Sequence, residues 1–347
     1  MLLLTWRDAQ HRVVRFVVVT ILAAVVFALL FVMTGLVEQF HREPADTARS
    51  FGAEQWAMAR GITGPFTASA TVPLALMGTV DAKQKAPVVV GRGSMHTSNS
   101  THEVVVIGHL IGDLGSPRVV KGREVRKSGE VVADSSGHAK LGSKIRLGDV
   151  AFSVVGLTRN ATILAGVPLV YVTLTDAQDL VFGSRAVVTG FLLNGAGANT
   201  SPALTLRTTD YIAADTLKPL ENAISSIDLV RGLLWLVATI IIGAVVYLSA
   251  LDRQRDFAVL KAVGASNRNL ATGLGIQAVG VALVAVFISM GLQVLMRPSF
   301  PLRIRVPAAA FWQVPLLAAI VALLAAGVGI RKVIISDPAA AFAGPGR

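Results

Sequence analysis

Hydrophobic residues in this chain are concentrated in four long stretches, and the residues between the first two stretches are mostly polar. The apolar stretches are residues 16–37, 229–251, 270–295 and 311–330. Each has about 20 residues or more, and a helix that rises about 1.5 Å per residue then crosses a hydrocarbon core of about 30 Å. The pattern predicts an integral membrane α-helical protein with four transmembrane helices in a one-plus-three arrangement.

The long polar insertion predicts a folded domain of mixed class. Short runs rich in Val, Ile and Thr are separated by Gly, Pro, Asn and Asp, which is typical of strands and turns. The runs cover residues 70–75, 87–91, 103–108, 129–133, 144–147, 151–156, 169–173, 186–193 and 203–207. Helices are predicted just after residue 38, at 176–183 and at 210–228. We therefore expect an extracytoplasmic α+β domain inserted between transmembrane helices 1 and 2.

The basic excess of the chain lies beside the predicted spans. The net charge is +11, but residues 38–227 carry 18 Lys and Arg against 16 Asp and Glu. The surplus can meet anionic lipid headgroups, and it forms no stripe on the inserted domain that would predict nucleic-acid binding. Segments 1–15, 252–269 and 331–347 hold three, four and three Lys or Arg, against three in 296–310. The positive-inside rule then predicts cytoplasmic N- and C-termini.

These patterns divide the chain into nine parts. The first apolar stretch is longer than the apolar core of a signal peptide and no small-residue cleavage site follows it, so an uncleaved anchor is expected. Residues 1–15 fit either an amphipathic helix in the headgroup plane or a simple basic flank. The predicted parts are a cytoplasmic N-terminal helix (1–15), transmembrane helix 1 (16–37), the extracytoplasmic domain (38–228), transmembrane helix 2 (229–251), a cytoplasmic coupling loop (252–269), transmembrane helix 3 (270–295), an outer loop (296–310), transmembrane helix 4 (311–330) and a cytoplasmic tail (331–347).

The sequence offers little material for catalysis. It contains no cysteine, no G-x-x-x-x-G-K-[ST] phosphate loop, no H-E-x-x-H and no G-x-S-x-G. The histidines His96, His102, His109 and His138 do not have the spacing of a metal site on one helix or turn. The spans lack Asp, Glu and Lys, which argues against an ion relay. We therefore predict no catalytic, cofactor-binding or metal-binding residues and a chain that is not an enzyme.

The connection between the second and third spans is the most specific local feature. Residues 252–266 read DRQRDFAVLKAVGAS. Phe257, Leu260 and Val263 share one helical face, Gly264 suits the residue after a helix, and Ser266 suits the N-cap of the next one. A simple basic turn would explain the charges alone, but an ordered apolar face indicates a helix that docks on a partner.

The same residues resemble the MacB/FtsX-type permeases of ABC transporters, which include the macrolide exporters and the LolC/LolE and DevC-type subunits. In that family this loop reads approximately E-R-x-R-E-I-x-x-L-[RK]-A-[LV]-G-A-[ST], and Asp252, Asp256 and Phe257 depart from it conservatively. The tail 337–342 resembles the family's D-P-x-x-A-[LF], and segments 129–134, 141–145 and 152–156 resemble its extracytoplasmic core.

The resemblance implies a division of labour between chains. A separate ATP-binding subunit would hold ATP and Mg, with no cofactor in this chain, and the permease would work as a homodimer in the bacterial cytoplasmic membrane. The loop would be a coupling helix seated on that subunit, and ATP hydrolysis would move the outer domain by mechanotransmission. The coupling residues implied are Arg253, Arg255, Asp256, Phe257, Leu260, Lys261, Gly264 and Ala265.

Three functions remain open on the sequence. The first is export or extraction of an envelope-side amphiphile, with a membrane-fusion or adaptor protein as a further partner. The second is an FtsX-like signalling subunit that regulates a cell-wall hydrolase without transport. The third is a membrane-anchored enzyme or sensor whose activity lies wholly within residues 38–227.

Overall fold

The computed structural model describes residues 13–69, 71–97, 100–252, 259, 263, 266–300 and 304–335. Four of its helices are long and apolar enough to cross a membrane, and an α+β domain is inserted between the first two, so the predicted fold class is confirmed. The chain divides into a membrane unit (residues 1–38 and 225–347) and the inserted domain (residues 39–224).

The described residues form helices and strands that we number in chain order. The helices are α1 Val13–Ser50, α2 Leu174–Phe182, α3 Thr209–Leu217, α4 Glu221–Asp252, α5 Asn267–Met296 and α6 Ala310–Ile335. The strands are β1 Gln55–Ala59, β2 Val72–Pro73, β3 Val80–His96, β4 Thr101–His109, β5 Lys121–Gly122, β6 Glu130–Asp134, β7 Lys144–Leu147, β8 Val150–Thr158, β9 Thr162–Ile163, β10 Val167–Thr173, β11 Val187–Val188, β12 Gly190–Asn199 and β13 Leu204–Thr208.

Alanine lines the core of the membrane unit. Ala278, Ala282 and Ala285 of α5 are fully or almost fully buried, and Ala318 and Ala322 of α6 are fully buried in the same cluster. Small residues at a spacing of three or four let helices approach closely, which substitutes for the hydrophobic drive that lipid does not provide. Aromatic rings add to the core, with Phe27–Trp235 and Phe31–Phe311 centroids 6.0 and 5.5 Å apart.

Three glycines of the spans are not packed against another described helix. A Cβ placed on Gly273, Gly280 or Gly327 would meet no described atom within 4 Å outside its own helical turns, and one on Gly275 would make ordinary contact with Leu323. The buried contacts between the described helices are made largely by alanine, whose methyl group fills the space between helices while keeping them close.

The inserted domain is built on a sheet whose strands follow the order β13-β1-β12-β3-β4-β10-β6-β8-β5. Strand β7 pairs with both β3 and β8, so the path β3-β4-β10-β6-β8-β7 returns to β3 and closes a ring of six strands. The 17-residue strand β3 is long enough to pair with β12 at its start and with β4 and β7 near its end. A closed ring has no free edge along its circuit.

Alternating residues fill this ring. Successive side chains of a strand point to opposite faces, so residues two apart share one face. The buried pairs that meet in one cluster are Val104 and Val106, Val131 and Ala133, Ile145 and Leu147, Phe152 and Val154, and Val170 and Val172. The opposite faces of β4, β6 and β10 give Val105, Val132 and Tyr171 to a second cluster. That second cluster also contains Ala48, the last buried residue of α1, and Phe51, which directly follows the helix.

The structure refines or corrects three expectations about local elements. Helix α1 continues to Ser50, so the first apolar stretch and the helix predicted just after residue 38 form one element. Strand β1 was not predicted, because Trp56, Ala57 and Met58 are all buried and give no alternating pattern. The run 70–75 contains a strand of only two residues, since Pro73 has no N–H to donate to a ladder and a 3₁₀ turn follows it.

Candidate functional site

The eight predicted coupling residues, Arg253, Arg255, Asp256, Phe257, Leu260, Lys261, Gly264 and Ala265, lie outside the described residues. Two valines of the same loop are described. The amide of Val263 donates to the carbonyl of Val259 at 3.0 Å, a spacing of four residues that is helical. Val263 is 82% exposed and Val259 54% exposed. The assignment of the loop as a coupling site stays a prediction.

The helices that flank this loop are joined by a polar contact. The side-chain amide of Gln277 on α5 donates to the Ser249 hydroxyl on α4 at 3.2 Å. Helix α4 ends at Asp252 and α5 begins at Asn267, directly after Ser266. The contact joins α4 and α5 close to the end of α4.

At the other end of α1, a buried carboxylate holds the helix to a loop of the inserted domain. Glu43 is 3% exposed, and its Oε2 accepts a hydrogen bond from the Ala165 amide at 2.9 Å. Its Oε1 accepts from the Gly166 amide at 3.0 Å and from the Thr162 hydroxyl. One turn later, the Thr47 hydroxyl donates to the Thr162 carbonyl at 2.6 Å. We call Glu43, Thr47 and residues 162–166 the Glu43 socket.

The backbone of the socket is shaped for a carboxylate. Leu164, Ala165 and Gly166 all have positive φ values, of 51°, 67° and 93°. Consecutive residues of unusual backbone conformation can turn their N–H groups toward one point, where they bind a negative group. Here Glu43 supplies that group. Burial nevertheless raises the pKa of Glu43 above its usual value, since loss of water outweighs the hydrogen bonds from Thr162, Ala165 and Gly166.

The two chain segments that connect the domain to the spans meet side by side. Strand β1, which follows α1, pairs antiparallel with β13, which precedes α3, and Gln55 lies opposite Thr208. The Thr209 amide donates to the Glu54 carbonyl at 3.1 Å, and its hydroxyl donates to the Ala53 carbonyl at 2.5 Å. An exposed ion pair joins Arg49 to Asp210 at 3.1 Å, and screening by water makes its contribution small. We call residues 49–59 and 204–217 the stalk junction.

A second buried carboxylate and a cluster of rings make the stalk junction rigid. Asp215 of α3 is 2% exposed, accepts from the Thr67 hydroxyl at 2.5 Å, and pairs with Lys218 at 3.1 Å. Phe51, Trp56 and Phe66 surround one another with ring centroids 5.0 to 6.0 Å apart. Aromatic side chains bury large areas and have few rotamers, so they transmit displacement with little slack.

The four histidines considered for a metal site do not form one. Among the described residues there is no group of three or more His, Cys, Asp or Glu side chains that could hold a metal ion. His102 and His138 are stacked with ring centroids 5.3 Å apart. His109 is fully buried elsewhere, with its Nδ1 3.0 Å from the Leu110 carbonyl and its ring edge against Tyr171.

Burial of His109 predicts a loss of stability in mild acid. Desolvation lowers its pKa below the ordinary 6.5 of histidine, and the nearby Glu124 only partly offsets this. Because the unfolded chain binds the proton more readily, the stabilisation is complete above about pH 6.5 and is lost as the pH falls through the folded-state pKa. We expect the thermal midpoint of the detergent-solubilised protein to fall between about pH 7.5 and about pH 5.5.

Two variants distinguish the effect of His109 protonation on stability from that of other groups. Protonation of Glu43 has the opposite sign, since a raised carboxylate pKa favours the folded state as the pH falls. His109→Gln should therefore flatten or reverse the acid loss, whereas the same change at the exposed His96 should leave it intact. An unchanged slope in His109→Gln would contradict the assignment.

The socket and the stalk junction were not predicted from the sequence. Glu43 follows the first span in a polar stretch with other charged residues, and nothing local distinguishes it. Its partners are more than 115 residues away along the chain. The one available signal is the run Leu164-Ala165-Gly166 after the short strand β9, which indicates a turn but not its occupant.

These elements define a multi-pass membrane protein in which one spanning helix continues into an inserted α+β domain. The family model described as "FtsX-like permease C-terminal" matches residues 229–338. Two relatives from Mycobacterium tuberculosis strain H37Rv, the uncharacterized ABC transporter permeases Rv0072 and Rv2563, are each 35% identical, over 351 and 355 residues. Both alignments cover 99% of this chain and all of the relative.

The chain belongs to the FtsX-like family of ABC transporter permeases. Solved structures similar to its inserted domain include the extracellular domain of the ABC-type transporter YknZ from Gram-positive bacteria, at 14% identity and a TM-score of 0.33, covering 45% of this chain and 99% of that domain. The periplasmic region of MacB from Actinobacillus actinomycetemcomitans is 11% identical with a TM-score of 0.35, covering 48% of this chain and 94% of that region.

Proposed function

We propose that this chain is the non-catalytic membrane subunit of an ABC transporter that works by mechanotransmission. Membership of the permease family implies an ATP-binding partner. In the proposal that partner holds ATP and Mg, docks on residues 252–269 and drives movement of the inserted domain on the outer side of the bacterial cytoplasmic membrane. The movement extracts or exports an amphiphile of the cell envelope.

The continuity of α1 is the observation that carries the proposal. It is a single helix from Val13 to Ser50, apolar in its first part and held in the Glu43 socket in its later part. A continuous helix transmits axial and tilting motion better than a flexible linker does, even though Pro44 removes one backbone hydrogen bond from α1. The stalk junction supports the same mechanism, since β1 and β13 share hydrogen bonds and must move together.

The composition of the membrane unit agrees with a chain that transmits motion. Its helices bury mainly alanine and large apolar side chains, with Ser249, Ser289 and Gln293 as the buried polar residues among those described in the spans. Transported polar solutes need polar or charged groups along their path. We therefore propose that the substrate leaves from the outer leaflet and does not pass between these helices, and that two copies assemble as a homodimer.

Single cysteines test the orientation because the natural chain has none. Asp149→Cys, at an exposed turn of the inserted domain, should react with a membrane-impermeant maleimide in intact cells. Arg255→Cys should react only after the cells are lysed. Labelling of Arg255→Cys in intact cells would overturn the proposed topology and with it the site of the ATP-binding partner.

The partner bound to the inserted domain separates transport from signalling. An FtsX-like signalling subunit would use the same movement of the inserted domain to regulate a cell-wall hydrolase. Cross-linking from the inserted domain in cells should recover an adaptor protein or an envelope lipid if the chain serves export. Recovery of a hydrolase, with no effect of the permease on envelope lipids, would favour signalling. An activity of the purified chain without any ATP-binding subunit would contradict both.

A further inference from the structure

A cleft lined by serine, histidine and lysine residues opens at one end of the six-stranded ring. It has a volume of about 470 Å³. It lies between the end of β3, the start of β4 and the connection from β6 to β7. The side chains that line it include Ser100, His102, His138, Lys140, Ser143 and Lys144. None of the described lining residues is acidic.

The lysines of the cleft form no ion pair with any acidic side chain in the part of the chain that the structure describes. Neither Lys140 nor Lys144 forms an ion pair with a described residue, whereas Arg123, Arg146 and Lys218 elsewhere in the domain each do. The domain as a whole is nearly balanced in charge, so this is a local excess. Unpaired cations that share a concave surface raise the local concentration of an anion.

The stacked histidines add donors to one wall. The His102 and His138 rings lie nearly parallel, 19° apart, and the Nε2 of His102 is 2.9 Å from the Ser100 hydroxyl. His138 is held in the left-handed backbone region, with φ of 59°, by a 3₁₀ turn that ends there. That conformation favours glycine, so a histidine at this position carries a strain that its side chain must offset.

We infer that this cleft binds a phosphate group. Lysine acts as a point charge toward phosphate oxygens, while planar carboxylates are usually recognised by the fork of arginine, which is absent from the described lining residues. The lining imidazoles supply the additional N–H donors that a tetrahedral oxyanion with several oxygens accepts, whereas the Ser143 hydroxyl already donates to the Lys140 carbonyl. The group belongs to a free phosphate or phosphoester or to a phospholipid headgroup. The site does not require the coupling mechanism proposed above.

Calorimetric titration of the full-length protein in a neutral, phosphate-free detergent tests the inference. The two probes are inorganic phosphate and dihexanoyl phosphatidylglycerol, a soluble phospholipid, both at constant ionic strength. We expect saturable binding, and Lys140→Ala with Lys144→Ala should weaken it by at least about tenfold. The matched control, Lys121→Ala with Lys127→Ala, removes the same charge from the same domain and should retain wild-type affinity.

A second variant keeps the test valid if the double lysine variant is unstable. His138→Gly removes one ring and suits the left-handed backbone, so it should stay folded and still lose affinity. Binding of inorganic phosphate with this variant pattern identifies a free phosphate or phosphoester site. Binding of the phospholipid alone, with the same pattern, identifies a headgroup site. Absence of saturable binding to either probe, or equal weakening by the control pair, overturns the inference.

Discussion

Replacing Phe257 and Leu260 together by aspartate is expected to abolish co-purification of the permease with its ATP-binding subunit. Helical spacing places both residues on one predicted apolar face of the connection between α4 and α5. If that face is buried against the partner, two carboxylates there must lose their water without gaining a counter-charge. A loss of even about 3 kcal/mol weakens the complex by about 100-fold, and two buried charges exceed that.

The control for this prediction adds the same charge to the other side of the helix. Ala258→Asp with Ala262→Asp alters the opposite face, so the complex should survive with at most a modest loss of affinity. Both double variants should insert normally, because neither touches a span. Measured co-purification and permease-stimulated ATP hydrolysis that persist in Phe257→Asp with Leu260→Asp would show that the partner docks elsewhere.

Replacing Glu43 by alanine is expected to disconnect ATP hydrolysis from movement of the inserted domain. The change leaves the Ala165 and Gly166 amides and the Thr162 hydroxyl without their acceptor in a buried place. An unsatisfied buried polar group costs about 1–3 kcal/mol, so the last turns of α1 should detach from the loop without unfolding the whole domain. The ATP-binding subunit should still bind and still hydrolyse ATP.

The readouts are a distance within the inserted domain and the transport or signalling activity. Spin labels on α1 near residue 46 and on the loop near residue 159 should show a broadened distance distribution in Glu43→Ala. Glu43→Gln keeps an acceptor oxygen at nearly the same position and should retain the narrow distribution and most of the activity. If Glu43→Ala keeps full activity and the distances of the natural protein, the Glu43 socket does not transmit movement to the inserted domain.

The membrane part of this fold could be predicted from the sequence because its signal is local. Each span is a continuous apolar run, and length alone identifies it. Most strands of the inserted domain were predicted for the same reason, since their signal is a short local run such as Ile145 and Leu147, which alternate with outward residues. The ring closure through β7 was not predictable, because it depends on pairing between residues about 50 positions apart.

The same contrast between local and long-range signals applies to the candidate functional residues. The coupling segment is predicted from a short contiguous motif with a helical face, and it stays a prediction because its eight named residues lie outside the described residues. Glu43 and Thr47 were missed because their role is set by a loop more than 100 residues away. A charged residue after a span is ordinary in sequence, and only the turn at Leu164–Gly166 makes this one special.

The pairing of β1 with β13 has an evolutionary consequence. The chain enters and leaves the inserted domain on neighbouring strands, so the two ends of the domain lie side by side. One inserted domain can be exchanged for another of different specificity while the apolar helices stay unchanged. Divergence of the inserted domain among such permeases then needs no change in their membrane helices.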